Sequence, residues 1–186
     1  RKPARRRPVP LTLDTRTRRR FREGLLRWYG RYQRDLPWRQ TRDPYHVLVS
    51  EIMLQQTQVD RVIPKYQEFL GRYPTLEALA TADVADVTRT WYPLGYNIRP
   101  VHLHGIAREA VARYGGRLPA DEKGLRAMKG IGRYTAGAVR AFAYGERAPI
   151  LDTNVRRVLG RVFHGEEGRR VSTAALWALA DRPRFR

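Results

Sequence analysis

The 186-residue sequence contains no cysteine. These residues therefore hold no disulfide, thiolate zinc site, cysteine nucleophile or cysteine-ligated iron–sulfur cluster. Histidine is scarce, and His46, His102, His104 and His164 follow no metal-ligand spacing. His102 and His104 stand two apart in an expected helix, so they face different ways and read as packing or surface residues. No apolar run approaches the roughly 18 residues that span a bilayer, and the arginine-rich start lacks the apolar stretch of a signal peptide. A soluble protein of a reducing compartment is the expectation. Period-two alternation of useful length is also missing, which removes β-sheet classes and leaves an all-α fold. No G-x-x-x-x-G-K-[ST] occurs, so a Walker-type phosphate loop is excluded.

Acid is in short supply as well. Asp+Glu number 18 against 37 Lys+Arg, a formal charge of +19 that favours a polyanionic partner. Residues 1–20 account for +8 of this and leave +11 on the remainder, so the folded part is itself basic. Residues 1–12, with Pro3, Pro8 and Pro10 among arginines, read as a disordered arm, either a leader-like extension or a non-specific tether to a polyanion.

What the sequence does contain is helical periodicity. Phe21, Leu25, Trp28, Tyr29 and Tyr32 recur every three or four residues, predicting an amphipathic helix over 15–32 with these residues on its buried face. Leu36-Pro37-Trp38-Arg39 reads as a non-helical connector. Asp43-Pro44 supplies an N-cap and a first-turn proline for a helix running to about Gln56. Further helices follow: one carrying Val59 to Leu70, two short ones capped by Thr75 and Thr81, and one over about 98–114 burying Ile106, Ala110 and Val111. After Gly115-Gly116, helical signal resumes at Asp121–Ala127 and, beyond a Met128–Gly132 hairpin, at Arg133–Tyr144. Asp152 opens the next helix, with Val155, Val158, Leu159 and Val162 on its buried side, and Ser172 caps a last one.

Three places could carry chemistry. In Gly130-Ile131-Gly132, two glycines let backbone approach a ligand closely, and the N–H groups opening the Arg133 helix favour an anion; a plain tight turn between helices would look the same. Glu51 borders the apolar face of its helix, where a carboxyl loses hydration and can serve as a general acid; it could equally be an acid paired to an arginine. Asp152 suits an N-cap, and a carboxylate held there by backbone N–H groups could also stabilise a cationic sugar and orient water. One carboxyl to protonate a leaving group and one to support an oxocarbenium-like centre is what hydrolysis at a glycosidic carbon requires.

Taken together, Leu36-Pro37-Trp38-Arg39, Pro44-Tyr45, Ser50 to Val59, Leu94-Gly95-Tyr96, Gly130 to Gly137 and Ile150 to Leu159 resemble, in order and spacing, the helix-hairpin-helix DNA glycosylases. The resemblance runs from about Phe21 to Ala180 and is closest to the MutY branch of adenine glycosylases, which act on adenine opposite guanine or 8-oxoguanine. It implies two all-α lobes with an active-site cleft between them. The lobes would be a six-helix one over 41–147, its helix-hairpin-helix at about 121–145, and a second built from 13–40 plus 148–186.

The resemblance also assigns roles. Glu51 would protonate the base, Asp152 would stabilise the sugar cation, and Asn154 would sit beside Glu51 and orient water or the base. Tyr134 takes the position where bifunctional relatives keep a Schiff-base lysine, so base release without a lyase step is expected. Gln55, Gln56 and Thr57 would probe the duplex near the lesion, and Tyr96 would be an aromatic wedge. Gly130, Ile131, Gly132, Arg133 and Thr135 would meet the DNA backbone, and the main-chain carbonyls of Met128 and Ile131 would hold a monovalent cation, Na+ or K+. No other cofactor is expected. The partner would be double-stranded DNA with a mismatched or damaged base, bound by a monomer with a cytoplasmic, nucleoid-associated location.

Departures from the pattern set the alternatives. The four-cysteine iron–sulfur loop and the 8-oxoguanine-sensing domain of most MutY relatives are missing, so a truncated chain is expected, and a catalytically silent DNA-binding module is one alternative. Tyr96-Asn97-Ile98-Arg99-Pro100 departs from the two-aromatic pattern after Leu-Gly and resembles thymine and uracil mismatch glycosylases, the other alternative.

Overall fold

The computed structural model describes residues 14–164 and 171–181. The basic arm expected over 1–12 lies outside the described residues. Those that are described form ten α-helices and one 3₁₀ turn, with no strand among them. They divide into two compact units, one of residues 35–150 and one of residues 14–34 with 151–164 and 171–181.

The larger unit is built on α2 (Pro44–Met53). Asp43 caps it by accepting from the Tyr45 and His46 N–H groups, and Pro44 occupies the first turn, where an N–H has no helical partner. Every residue from Val47 to Met53 is buried, so α2 is a core helix without a solvent face. Around it pack α3 (Val59–Arg72), α6 (Ile98–Tyr114) and α8 (Arg133–Phe142). The short helices α4 (Leu76–Thr81) and α5 (Val84–Trp91) rest on α6, and α7 (Glu122–Ala127) pairs with α8. Phe69 stands edge-on to Trp91 at 5.7 Å and to Tyr73 at 5.0 Å, filling the centre with aromatic surface. The Tyr45 hydroxyl, buried with them, donates to the Tyr73 carbonyl at 2.7 Å, and burial raises its pKa.

Several sequence expectations change here. The unit holds seven α-helices instead of six, and its boundaries fall at 34/35 and 150/151, not at 40/41 and 147/148. The first boundary moves because of the connector: Pro37–Arg39 is a 3₁₀ turn that buries Leu36 and Trp38 in the core, with Trp38 edge-on to Tyr66 at 5.4 Å. Asp83, not Thr81, caps α5, because the Thr81 hydroxyl is spent on carbonyls of its own helix, that of Glu77 at 3.0 Å among them. Helix α2 stops at Met53, which puts Gln55, Gln56 and Thr57 in the following turn.

Gly137 explains one close approach. A Cβ there would lie 2.5 Å from the Pro149 carbonyl oxygen, so the segment leading to Leu151 passes against α8 only because the side chain is absent. Gly137→Ala is expected to destabilise the protein by about 2 kcal/mol, since the obstacle is backbone and not a movable side chain. Chemical denaturation checks this, and an unchanged midpoint would contradict it.

The smaller unit comprises α1 (Thr15–Tyr32), α9 (Thr153–His164) and α10 (Thr173–Ala180). Phe21 meets Phe163 edge-on at 6.4 Å, and α9 packs on α10, whose Leu176 and Leu179 are buried. Helix α1 forms as its periodicity predicts, yet Leu25, Trp28, Tyr29 and Tyr32 are exposed, as are Val155, Val158 and Val162 on α9. Val111 is exposed too. Periodicity fixes which residues share a face, not whether a neighbour covers it.

Candidate active site

Glu51 lies near the end of α2 between buried Ser50 and Ile52 and is itself 7% exposed. The Ser50 hydroxyl is turned back onto the Val47 carbonyl at 2.8 Å. Burial takes bulk water away from the Glu51 carboxyl, in a helix otherwise given to apolar packing.

Asp152 belongs to the other unit and stands at the mouth of α9. Its Oδ1 accepts from the Val155 N–H at 2.6 Å, and its carbonyl receives the Arg156 N–H, the geometry of an N-cap. Its Oδ2 accepts from the Asn154 amide at 3.2 Å, and Asn154 in turn accepts from Arg157 at 2.8 Å. Both carboxylate oxygens are thus held by N–H donors, which fixes the carboxylate's direction. Asn154 is brought together with Asp152 and Arg157.

The hairpin between α7 and α8 is anchored by two buried residues, Met128 and Ile131, with Lys129, Gly130, Gly132 and Arg133 exposed around them. The Ile131 N–H donates to the Met128 carbonyl at 3.1 Å, closing the turn. Gly130 has φ +103°, a conformation that L side chains rarely adopt, and a Cβ there would lie 2.9 Å from Cβ of His102. Gly132 takes the N-cap of α8 without a side-chain acceptor, so no side chain of its own covers the first-turn N–H groups. Tyr134 is half-buried and Thr135 is buried in this first turn.

Two exposed loops of the larger unit face solvent beside α2 and α6. In one, Gln55 and Gln56 are exposed and Gln56 has φ +56°; in the other, Tyr96 is 60% exposed with φ +51°. Left-handed backbone at a non-glycine residue costs on the order of 1 kcal/mol or more and persists only where its surroundings enforce it.

Sequence reasoning missed what enforces it. Arg99, 6% exposed, donates through Nη1 to the carbonyls of Ile52 (3.0 Å), Met53 (3.1 Å) and Gln55 (2.5 Å). Through Nη2 it donates to the Thr57 hydroxyl (3.2 Å) and to the carbonyls of Leu94 (2.9 Å) and Gly95 (3.0 Å). Its guanidinium also lies 5.4 Å from the Trp91 ring centroid and 5.3 Å from that of Tyr96. Burial lowers its pKa. The only hint in the sequence is the three-residue spacing from Tyr96 to Arg99, which brings ring and guanidinium together at a helix start.

Residues 49–180 match the HhH-GPD superfamily of base excision DNA repair proteins. The adenine DNA glycosylase of Mycobacterium tuberculosis (strain CDC 1551 / Oshkosh) is 47% identical over 142 residues, covering 76% of this chain and 47% of that protein. The thymine/uracil-DNA glycosylase of Pyrobaculum aerophilum is 39% identical over 145 residues, covering 77% of this chain and 63% of that one. Among solved structures, a thermostable thymine-DNA glycosylase superposes with a TM-score of 0.82 at 33% identity, covering 89% of this chain and 77% of that one. The chain spans about half the length of the curated adenine glycosylase it matches.

Proposed function

The chain belongs to the HhH-GPD superfamily of base excision DNA repair proteins, and from that premise we propose that it is a monofunctional DNA glycosylase. Its reaction is hydrolysis of the N-glycosidic bond of a mismatched base in duplex DNA, adenine opposite guanine or 8-oxoguanine. The observation that carries this reading is Glu51, a carboxyl buried in a core helix where packing alone would favour an apolar residue.

In this reading the C1′–N bond breaks with its electron pair leaving on the base, and the Glu51 proton neutralises that charge. The sugar is left as an oxocarbenium-like cation, which the oriented Asp152 carboxylate stabilises. Water then adds its oxygen to C1′, and the proton it gives up restores the Glu51 acid. Asn154, bonded to Asp152 and Arg157, keeps the carboxylate aimed. The target base must leave the stack, at a cost of a few kcal/mol, before any of this can occur.

Phosphate contacts come from the hairpin, where Gly130, Gly132 and the first-turn N–H groups of α8 meet the backbone without reading sequence, with Ile131, Arg133 and Thr135 around them. The Met128 and Ile131 carbonyls suit a monovalent cation, since the Met128 oxygen accepts one N–H and keeps a second lone pair. Such an ion would add positive charge where a phosphate docks. Gln55, Gln56 and Tyr96 face the base pair instead, and the protein acts as a monomer.

A second reading, thymine or uracil release from mismatches with guanine, is favoured by Asn97-Ile98 after Tyr96 and by the likeness to thymine-DNA glycosylases. Single-turnover base release from A:G, A:8-oxoguanine, T:G and U:G duplexes separates the two. Release of adenine supports the proposal; release of thymine or uracil alone supports the second reading, and no release from any duplex contradicts both. Because Tyr134 offers no amine for a Schiff base, borohydride is expected to trap no protein–DNA adduct. A trapped adduct would overturn the monofunctional assignment.

A further inference from the structure

Arg99 is buried and charged, yet its hydrogen-bond partners are neutral oxygens, five carbonyls and one hydroxyl, and none of the ion pairs among the described residues includes it. A guanidinium that only filled core volume would leave a buried charge without its usual compensation. What it does instead is join two segments far apart in sequence. Three of its acceptors lie in the last turn of α2 and the residues just after it, directly following Glu51, and a fourth is the Thr57 hydroxyl. The remaining two immediately precede Tyr96. Arg61 reinforces the second segment by donating to the Pro93 carbonyl at 3.0 Å. Gln56 and Tyr96, the non-glycine residues with left-handed backbone among those described, stand one in each segment.

We propose that Arg99 is a positioning residue for base extrusion: its planar fork locks the Gln55–Thr57 turn to the Leu94–Tyr96 loop, so that Gln56 and Tyr96 enter the duplex as one rigid element registered to the Glu51 helix. The Tyr96 ring lies against the guanidinium while remaining 60% exposed, so the same side chain that ties the loops together also supports the ring that would press on a base pair. The phosphate grip at the hairpin is separate from this clamp. This inference rests on the glycosylase reading, and its test is chosen to fail differently from that reading.

Arg99→Lys keeps the charge but replaces a six-acceptor fork with a point donor of three N–H bonds. With 2-aminopurine at the target position of a mismatched duplex, wild-type protein is expected to raise its fluorescence as the base unstacks, and Arg99→Lys to leave most of that rise absent at saturating protein. Single-turnover release from the preferred mismatch should fall by at least about 30-fold, the scale expected when a reacting pair is misplaced by an ångström or so. On a substrate whose target base stands opposite an abasic site, and so needs little work to extrude, most of the rate should return. Affinity for undamaged duplex should stay unchanged.

Equal loss on both substrates, or a normal fluorescence rise in Arg99→Lys, would overturn the proposal. If Arg99→Lys fails to fold, Thr57→Val, which deletes one side-chain acceptor of the clamp, should show the same substrate-dependent rescue at smaller amplitude; a uniform loss there would also overturn it. Should wild type unstack the base yet release none, the catalytic reading fails while the clamp still stands on its fluorescence.

Discussion

Asp152→Asn is expected to lower single-turnover base release by on the order of 10²-fold or more while leaving duplex affinity within about twofold of wild type. The substitution is clean in structural terms. Asparagine caps helices about as well as aspartate, and the oxygen that accepts the Val155 N–H at 2.6 Å is retained, so α9 keeps its start. What disappears is the negative charge, together with the acceptor for the Asn154 amide. The binding surface proposed at the hairpin is untouched. Rapid-quench measurement of base release beside a binding titration checks the split, and an Asp152→Asn protein with full activity would remove the aspartate from the mechanism.

Glu51→Gln should be at least as damaging, with a loss on the order of 10³-fold for an ordinary base, because the amide fills the same space but has no proton to give the departing base. The loss should depend on the leaving group. A substrate whose base departs without protonation needs no acid, so its release should be largely restored in Glu51→Gln and should remain impaired in Asp152→Asn, whose defect is at the sugar. Comparing the two variants on the two substrates therefore assigns each carboxyl to its side of the breaking bond. An equal loss for both substrates in Glu51→Gln would count against the acid role.

The parts of this arrangement that were legible in the sequence are those whose physics is local. Asp43-Pro44 announces α2, Ser172 announces α10, and the Met128–Gly132 hairpin stands between two helical patterns because its glycines permit a turn that other residues do not. Asp152 was legible as a cap for the same reason. Tertiary contacts were not. The burial of α2 from Val47 to Met53 is invisible in a pattern that includes Ser50 and Glu51, and Glu51, which reads as bordering the apolar face, is interior. Trp38 looked like part of a connector and is core, because a 3₁₀ turn carries it onto Tyr66. Arg99 was one arginine among many in a chain of charge +19, and only the folded backbone brings to it carbonyls from both ends of a long sequence separation. The apolar stripes of α1 and α9 teach the converse: Leu25, Trp28 and Val158 follow helical period well and are exposed.

The reaction proposed for this chain is hydrolysis of an N-glycosidic bond with nothing further done to the strand. The most direct measurement is a single-turnover reaction of the protein with A:8-oxoguanine and A:G duplexes in water enriched in oxygen-18, with both products weighed by mass spectrometry. The expected result is free adenine and an intact strand carrying one heavy oxygen at the abasic C1′. Recovery of unreacted duplex, or of a strand cut by elimination, would contradict the account.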